Sequence, residues 1–189
     1  MGDWPDHPIT QSPNLPMTTL EQTTQALKTK FGDAIEAVET FRGETTVVVS
    51  SARVVDVLRH LRETPSLNFR FLADLTAYDD YPDEPRFKVC YQIRNLLEPL
   101  SLRVKTAVGG ETPTLETCTT VYPAANWQER ELLDMFGITF TGHPDPRRIL
   151  MPSDWQGHPL RKDYPLGYEE VQFTFNYDSI DQKKPYAKE

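Results

Sequence analysis

The first helix is predicted by apolar residues that recur at helical spacing near the start of the chain. These residues are Leu20, Leu27 and Phe31. Gly32 follows directly and is typical of a helix C-terminus. Thr18, with Glu21 three residues later, resembles a capping box, so we expect Thr18 to be the N-cap residue.

Two further stretches show the same helical spacing. One carries Val54, Val55, Leu58 and Leu61, and the other carries Leu132, Met135 and Phe136. Ser51 is the expected N-cap of the earlier helix, which has to end before Pro65. Asn126 is the expected N-cap of the later helix, with Glu129 at its third position and Gly137 after its last turn.

Strands are predicted where apolar and polar residues alternate or β-branched residues cluster. These stretches are residues 34–41, 45–50, 67–78, 86–95 and 100–108, with a hairpin turn at 42–44 and a loop at 79–85. The resulting order α-β-β-α-β-β-β predicts an α+β fold. We expect a two-layer domain with a mixed β-sheet and helices, followed by a helix and a long irregular C-terminal extension.

Proline content divides the chain into three parts. Of its 16 prolines, four lie in residues 1–16 and five lie between Thr141 and Pro165. We therefore expect residues 1–16 to be a flexible N-terminal tail and residues 17–137 to be the α+β domain including the last helix. Residues 138–189 should form an extended proline-rich segment. Because long stretches without regular structure are uncommon inside compact domains, we expect this segment to wrap a partner subunit.

The composition fits a folded chain and argues against nucleic acid as a partner. A length of 189 residues with 38% hydrophobic residues is sufficient for one packed core. The net charge of −8 provides no basic footprint for phosphate groups. No apolar run approaches the roughly 20 residues of a membrane span, and the first residues do not resemble a secretory signal. We therefore expect a soluble intracellular chain.

Sequence patterns for cofactor binding or nucleophilic catalysis are missing. Cys90 and Cys118 are far from each other and from the histidines. An Fe–S cluster usually needs four thiolates and a structural zinc site four Cys or His ligands, so we expect the chain to bind neither. There is no glycine-rich phosphate loop and no Gly-x-Ser-x-Gly elbow. Flavin, nicotinamide and an activated nucleophile are therefore unsupported.

Two Gly-His-Pro triplets offer a candidate metal site. They are Gly142-His143-Pro144 and Gly157-His158-Pro159, and Asp145, Asp154 and Asp163 lie nearby. Two histidines and a carboxylate are a common metal-ligand set, but this spacing matches no helical or hairpin metal motif. A histidine beside a proline in a loop commonly bonds a backbone carbonyl through Nδ1. We favour this loop-fixing role over a metal site.

The predicted last helix carries a group of acidic residues. Glu129, Glu131 and Asp134 lie within two turns, with Arg130 between them. Carboxylates this close are candidates for general acid–base chemistry. On a helix, however, Glu131 and Asp134 are neighbours three residues apart, and such groups more often form salt bridges on a polar face. We therefore expect a structural role.

Basic pairs alternate with apolar residues in the proline-rich segment. The pairs are Arg147-Arg148 and Arg161-Lys162, and the apolar residues are Ile149, Leu150, Trp155, Leu160 and Tyr164. Arginine mixed with aromatic and aliphatic side chains is typical of protein interfaces. Phe173, Phe175 and Tyr177 alternate in residues 171–178, which predicts an extended strand or arm on a partner surface.

These motifs together resemble one protein family. The residues that carry the resemblance are Glu129-Arg130-Glu131, Asp134-Met135-Phe136-Gly137, Gly142-His143-Pro144, Arg147-Arg148-Ile149-Leu150 and Gly157-His158-Pro159-Leu160-Arg161-Lys162-Asp163-Tyr164-Pro165. They are similar to the motifs of the thirty-kilodalton subunit of respiratory complex I, which is the C subunit of the bacterial proton-translocating NADH:quinone oxidoreductase. The order of predicted elements also fits the N-terminal domain of that family.

The resemblance implies a structural subunit of the peripheral arm, on the cytoplasmic side of the cell membrane. The complex passes electrons from NADH through FMN and Fe–S centres to quinone and couples this to proton translocation. Subunits of this family bind no flavin, Fe–S cluster or quinone themselves. Their C-terminal segment wraps the forty-nine-kilodalton subunit (the D subunit), next to the Fe–S subunits. The chain alone is therefore expected to be non-catalytic.

The resemblance also implies which residues serve at the subunit interface or fix the loops. These are Glu129, Arg130, Glu131, Asp134, Gly137, Gly142, His143, Pro144, Arg147, Arg148, Gly157, His158, Pro159, Arg161, Lys162 and Asp163. We expect the four basic residues of the two pairs to bond partner carboxylates or backbone carbonyls. The acidic residues and Arg130 should tie the last helix to the loops, and the histidines should fix the two Gly-Pro turns.

Three alternatives stay open at this point. The chain has no residue assigned to the electron donor, so the same subunit in a ferredoxin- or F420-dependent relative or a membrane-bound hydrogenase fits equally well. A stand-alone metal-dependent enzyme would use His143, His158 and Asp163. A free binding module would have to cover the apolar residues of 138–178 within the isolated chain.

Overall fold

The computed structural model describes residues 19–165 and 173–182. The helices are α1 (Leu20–Phe31), α2 (Val54–Glu63), α3 (Ala125–Phe136) and α4 (Tyr177–Asp181). The strands are β1 (Ile35–Phe41), β2 (Glu44–Val49), β3 (Phe71–Asp79), β4 (Phe87–Asn95), β5 (Leu100–Val108), β6 (Thr114–Glu116) and β7 (Thr139–Thr141). The tail predicted for residues 1–16 lies outside the described residues.

The main sheet has five strands in the order β1-β2-β5-β4-β3. β2 and β5 run parallel, whereas the other neighbouring pairs are antiparallel, so the sheet is mixed. The order of helices and strands up to β5 is the predicted α-β-β-α-β-β-β. The predicted α+β class is therefore confirmed.

The core lies between one face of this sheet and helices α1, α2 and α3. Alternate residues of the central strands point into it, including Phe87, Tyr91 and Val104. Leu27, Leu58 and Leu132 are the corresponding buried positions of the three helices, and all belong to one continuous apolar cluster. Because burial of apolar surface is the main stabilising contribution to folding, this contact fixes the two layers.

The helix starts differ from the predicted ones. Thr19, and not Thr18, caps α1: its hydroxyl accepts a hydrogen bond from the Gln22 N–H, and the Gln22 side chain accepts one from the Thr19 N–H. This is a capping box shifted by one residue, because two threonines stand side by side. Ser51 does not cap α2 with its side chain; it begins a 3₁₀ turn (Ser51–Arg53) that leads into the helix.

Helix α3 begins at Ala125, so Asn126 is not its N-cap. The preceding turn already brings the Ala125 N–H to the Tyr122 carbonyl, and this places Asn126 inside the first turn of the helix. β3 begins at Phe71, four residues later than predicted. The reason is a turn after α2, in which the Asn68 N–H bonds the Thr64 carbonyl and Asn68 adopts φ +51°.

Three elements were not predicted from the sequence. β6 and β7 pair in parallel, with Leu115 opposite Phe140, so regular structure does not end at Gly137 as expected. Near the C-terminus, the predicted extended arm is a turn at Phe173–Asn176 followed by α4. No helix among the described residues is long and apolar enough to cross a bilayer.

Candidate functional site

Residues 142–165, here called the docked segment, lie against the body of the domain without forming a helix or strand. The segment follows β7 and is hydrogen-bonded to α3, to the end of β3 and to the β3–β4 loop. Nearly all of the predicted site residues lie in this segment or on the face of α3 beneath it. The candidate site is therefore an irregular segment that hydrogen bonds hold against the domain.

Asp134 on α3 is the centre of the first contact. One carboxylate oxygen accepts the backbone N–H groups of Ile149, Leu150 and Met151 at 3.1, 2.8 and 2.8 Å. The other oxygen bonds the Arg148 guanidinium at 2.6 Å. Asp134 is fully buried beneath the docked segment. Asp134 thus forms a salt bridge, but its partner is Arg148 and the pair lies beneath the docked segment, not on the exposed polar face expected for this helix.

The electrostatics of Asp134 show that it binds as a carboxylate. Burial raises the pKa of a carboxyl group, but the N–H groups of Met151 and Leu150 and the Arg148 side chain outweigh this effect. The pKa of Asp134 is consequently below its ordinary value. The charge stays in place at neutral pH and holds four donors in one arrangement.

The docked segment also caps the C-terminal end of α3. Last-turn carbonyls of a helix have no partner within the helix. Here the Asp134 carbonyl accepts from His158 Nδ1 at 2.9 Å, and the Met135 carbonyl accepts from the Leu160 N–H at 3.0 Å. Arg161 Nε donates to the Phe136 carbonyl at 2.6 Å. A cation at this end also compensates the negative pole of the helix dipole.

Gly137 makes this capping possible. Its φ of +74° is a left-handed conformation that favours glycine. A Cβ atom at this position would come within 2.5 Å of both His158 Nε2 and Arg161 Nη2. Gly137 therefore allows two side chains of the docked segment to approach the helix end, in addition to ending the helix as predicted.

His143 and Glu129 form a buried contact at the start of the docked segment. His143 Nε2 donates to the Asn126 carbonyl at 3.1 Å, and its Nδ1 accepts the Asp145 N–H at 3.0 Å. The Nδ1–carbonyl bond expected for both histidines is thus present in His158 and wrong for His143. The Glu129 carboxylate lies 3.8 Å from His143 Nε2.

Glu129 is a fully buried acid that also bonds the β6–α3 connection. Its carboxylate accepts the Thr117 hydroxyl at 2.5 Å and the Cys118 N–H at 2.7 Å. Burial raises the pKa of Glu129, and these hydrogen bonds offset the increase only in part. Burial likewise raises the pKa of the Cys118 thiol, so this cysteine is not an activated nucleophile. Cys90 and Cys118 are both free thiols.

Arg130 holds the first turn of the docked segment from α3. Its guanidinium donates to the Arg147 and Arg148 carbonyls at 2.9 and 3.1 Å. Arg147 itself points outward and bonds Asp145 through two hydrogen bonds. Glu131 is exposed on α3 and bonds none of these loops within the described residues. Glu131 therefore does not fix these loops, and its expected role at a subunit interface stays a prediction.

The far end of the docked segment is held by residues that the sequence did not single out. Arg86 lies between Asp79 and Asp163, with ion pairs of 2.6 Å to each. The Arg86 side chain lowers the pKa of Asp79 to about 2. Asp79 also accepts the Lys162 N–H at 2.7 Å, so the end of β3 binds the segment directly.

The structure does not bring the candidate metal ligands together. His143 bonds Asn126 near the start of α3, whereas His158 bonds Asp134 eight residues further on, about 12 Å along the helix. The Asp163 carboxylate is bound to the guanidinium of Arg86. Within residues 19–165 and 173–182, no group of three or more His, Cys, Asp or Glu side chains is placed to hold a metal ion.

The outer side of the docked segment exposes apolar side chains, whereas several of its polar groups face inward. Arg148, His158 and Arg161 turn inward to α3. Leu150 and Leu160 turn outward and are 61% and 52% exposed. Trp127 on α3 is 64% exposed, and its ring contacts the guanidinium of Arg130, the residue that holds the segment. These three side chains create apolar surface where hydrogen bonds to α3 hold the segment in place.

The predicted glycine roles hold as well. Gly142 and Gly157 have φ values of +82° and +81°, as expected for the two Gly-His-Pro turns. Arg148 and Arg161 bond a carboxylate and carbonyls of their own chain. Pro144 and Pro159 contribute backbone shape in the same turns. The interface roles expected for these residues are not visible in a single chain and stay predictions.

The sequence of this chain is similar to those of known proteins. Residues 47–170 match a family described as respiratory-chain NADH dehydrogenase, 30 kDa subunit. The chain is 49% identical over 165 residues to the C subunit of NADH-quinone oxidoreductase from Roseiflexus sp. (strain RS-1), covering 87% of this chain and 95% of that protein. It is 47% identical to the corresponding C subunit from Geobacter sulfurreducens, with 74% and 86% covered.

Two solved structures are similar in fold. A trypsin-resistant fragment of Nqo5 shares 32% identity with a TM-score of 0.56, covering 65% of this chain and 97% of the fragment. A chain of a membrane-bound sulfane sulfur reductase, an archaeal respiratory membrane complex, has a TM-score of 0.61 over 89% of this chain and 95% of its own length. At 22% identity, the second similarity concerns the fold alone.

Proposed function

The chain belongs to the family of the 30 kDa subunit of respiratory-chain NADH dehydrogenase, and from this membership we propose that its own task in the enzyme is structural. It is a peripheral-arm subunit of NADH-quinone oxidoreductase, complex I. We propose that it supplies no redox cofactor and no catalytic residue. Its docked segment would instead hold a neighbouring subunit that does.

Exposed apolar side chains on a segment held by hydrogen bonds are the observation that carries this proposal. Arg148, His158 and Arg161 bond the chain's own α3. Leu150, Leu160 and Trp127 face outward, together with the charged side chain of Arg147. Apolar and aromatic residues on a pre-ordered backbone are typical of interface anchors, because little entropy is lost on binding. A free binding module would gain nothing from this exposure.

We propose the forty-nine-kilodalton-type subunit, the D subunit, as the chain that covers this surface, with the Fe–S subunits close by and all of them on the cytoplasmic side of the membrane. The domain division follows from this proposal. Residues 17–137 would form the supporting domain, and residues 138–189 would form the partner-binding part, of which residues 142–165 are pre-ordered by Asp134, Arg86 and the end of α3. Holding a neighbour accurately matters because electron transfer depends on placement.

A double variant, Leu150→Ser with Leu160→Ser, tests the structural role. Both side chains are outside the core, so the isolated chain should fold as before. We expect the amount of assembled peripheral arm in membranes to fall about tenfold, as truncation of well-buried interface anchors does, with unchanged NADH:quinone turnover per assembled complex. The pair Leu150→Met and Leu160→Met should assemble normally. Full assembly of the serine variant with reduced turnover per complex would contradict the proposal.

A further inference from the structure

A second apolar surface lies at the opposite end of the sheet from the docked segment. Leu96 and Leu97 in the β4–β5 turn are 69% and 83% exposed, and Phe71 at the start of β3 is 45% exposed. Phe71 stands directly opposite Arg94 on β4, two residues before Leu96. These three apolar residues, with Arg70 and Arg94, form one patch that we call the leucine turn.

The leucine turn is rigid although it protrudes. Asn95, which is buried, accepts the Leu97 and Glu98 N–H groups with its side-chain oxygen at 3.0 and 3.2 Å. Its amide group donates to the Leu67 carbonyl at 3.1 Å. One buried side chain thus joins the turn, at Leu97 and Glu98, to the body of the domain. A fixed apolar projection loses little conformational entropy when it is bound, which favours use as an anchor.

The charge around the leucine turn is unusual for this chain. The chain carries a net charge of −8, yet two exposed arginines, Arg70 and Arg94, stand against a single half-buried acid, Glu98, beside the leucines and Phe71. Neither takes part in an ion pair within residues 19–165 and 173–182. By contrast, Arg103 and Lys105 on the neighbouring strand are paired with Glu44 and Glu39. Unpaired arginines around an apolar centre complement carboxylates around an apolar pocket.

The position of the leucine turn separates it from the docked segment. Phe71 begins β3 and Asp79, which binds the segment, ends it. A strand of nine residues spans about 26 Å between its end residues. The two apolar surfaces therefore lie at opposite ends of the same sheet, and a contact confined to the docked segment leaves the leucine turn uncovered.

We propose that the leucine turn is a second docking surface, which inserts Leu96 and Leu97 into an apolar pocket rimmed with carboxylates on a neighbouring protein subunit. This inference rests on the proposed function, because it requires the chain to work inside a multi-subunit assembly. The subunit would then be held at both ends of its sheet. Arg94 and Arg70 would pair with the acidic rim and give the contact its salt dependence.

Site-specific photocrosslinking in the assembled complex tests the proposal. Benzoylphenylalanine replaces Leu97 in the full chain, and as a matched control it replaces Glu21, which is exposed on α1. We expect an adduct between position 97 and another subunit, at a peptide that contains Asp or Glu, at several times the yield from position 21. An adduct with lipid, an adduct with a second copy of this chain, a partner peptide without acidic residues, or a yield equal to the control would each overturn the proposal.

Charge variants of Arg94 distinguish failure of the leucine turn proposal from failure of the proposed function. Arg94→Glu in a Leu97→Ser background should lower retention of the chain in the complex about tenfold after a salt wash, whereas Arg94→Lys alone should retain it. If the unchanged chain is absent from the purified complex, the proposed function fails. If it is present and the series has no effect on retention, only the leucine turn proposal fails.

Discussion

At the scale of single residues, Asp134 does most to order the docked segment. Its carboxylate joins Arg148 to three consecutive N–H groups, of Ile149, Leu150 and Met151. Hydrogen bonds to a charged acceptor are stronger than neutral ones, and their loss inside a protein leaves donors unpaired. The outward direction of Leu150 therefore depends on a residue that is itself completely buried.

Asp134→Asn should lower the free energy of unfolding by about 2–3 kcal/mol, because the amide cannot accept from all four donors and leaves Arg148 without its anion. Chemical denaturation measures this change. Glu131→Gln, an exposed position on the same helix, is the control and should stay within about 0.5 kcal/mol of the unchanged chain. Equal effects of the two substitutions would mean that the Asp134 contacts are not stabilising.

The contribution of Glu129 to the free energy of unfolding should decrease as pH rises. Burial raises its pKa in the folded chain above the ordinary value of 4.5, so the folded state holds the proton more tightly than the unfolded state. The stabilisation that comes from this proton is complete below pH 4.5 and is lost as pH rises through the folded-state pKa. Glu129→Gln removes the titration while it keeps the shape of the side chain.

Denaturation curves of the unchanged chain and Glu129→Gln, measured from pH 4 to pH 7, check the sign. The difference in free energy of unfolding, unchanged chain minus variant, should decrease as pH rises. The groups that face the Glu129 carboxylate are Thr117, Cys118 and His143, and all are kept in the comparison. A difference that grows with pH would mean that the pKa is lowered and that the hydrogen bonds outweigh burial.

At the scale of elements, the end of α3 and the docked segment form one unit. Carbonyls of Asp134, Met135 and Phe136 accept hydrogen bonds from the segment. The helix end and the segment should therefore become ordered together. Gly137 is the position at which this dependence is most easily broken, since a side chain there would meet His158 and Arg161.

Gly137→Ala should destabilise the chain by more than the roughly 1–2 kcal/mol that a left-handed conformation costs a residue with a Cβ atom. Gly43→Ala is a matched control, because Gly43 has φ +82° with open space around its Cβ position. Trypsin cleavage after Arg147 and Arg148 should become faster in the Gly137 variant alone. Similar cleavage rates in both variants would separate Gly137 from the docking of the segment.

The elements also show which features a sequence can predict. The α-β-β-α-β-β-β order and the end of α3 at Gly137 follow from local periodicity and glycine chemistry, and both are confirmed. Cap positions moved by one or two residues, because Thr18 and Thr19 are adjacent and the turn before Ala125 needs no side-chain cap. β6 and β7, with three residues each, are too short to produce a pattern.

Only part of the candidate site could be predicted from the sequence, again because local patterns do not show tertiary contacts. Motif residues of the docked segment lie where the resemblance implied, but burial of Glu129 and Asp134 could not be deduced from a helical pattern of acidic residues. The contact of Arg86 with Asp163 joins residues 77 positions apart. Such a pairing depends on the three-dimensional course of the chain, and no local spacing indicates it.

At the scale of the whole molecule, the domain is a rigid support with apolar groups at both ends. The five-stranded sheet and its helices hold the docked segment at the Asp79 end and the leucine turn at the Phe71 end. None of the groups in the described part of the chain is arranged for metal binding. From the exposed apolar groups at both ends, we propose that the chain serves assembly of the enzyme.

Affinity purification of the tagged chain from membranes in mild detergent tests this account most directly. Mass spectrometry identifies the co-purifying chains, and metal and flavin are measured in the same sample and in the chain purified alone. The account predicts that the forty-nine-kilodalton-type subunit and the Fe–S subunits co-purify, and that the chain by itself holds neither flavin nor metal. Recovery of the chain alone, soluble and loaded with metal, would contradict it.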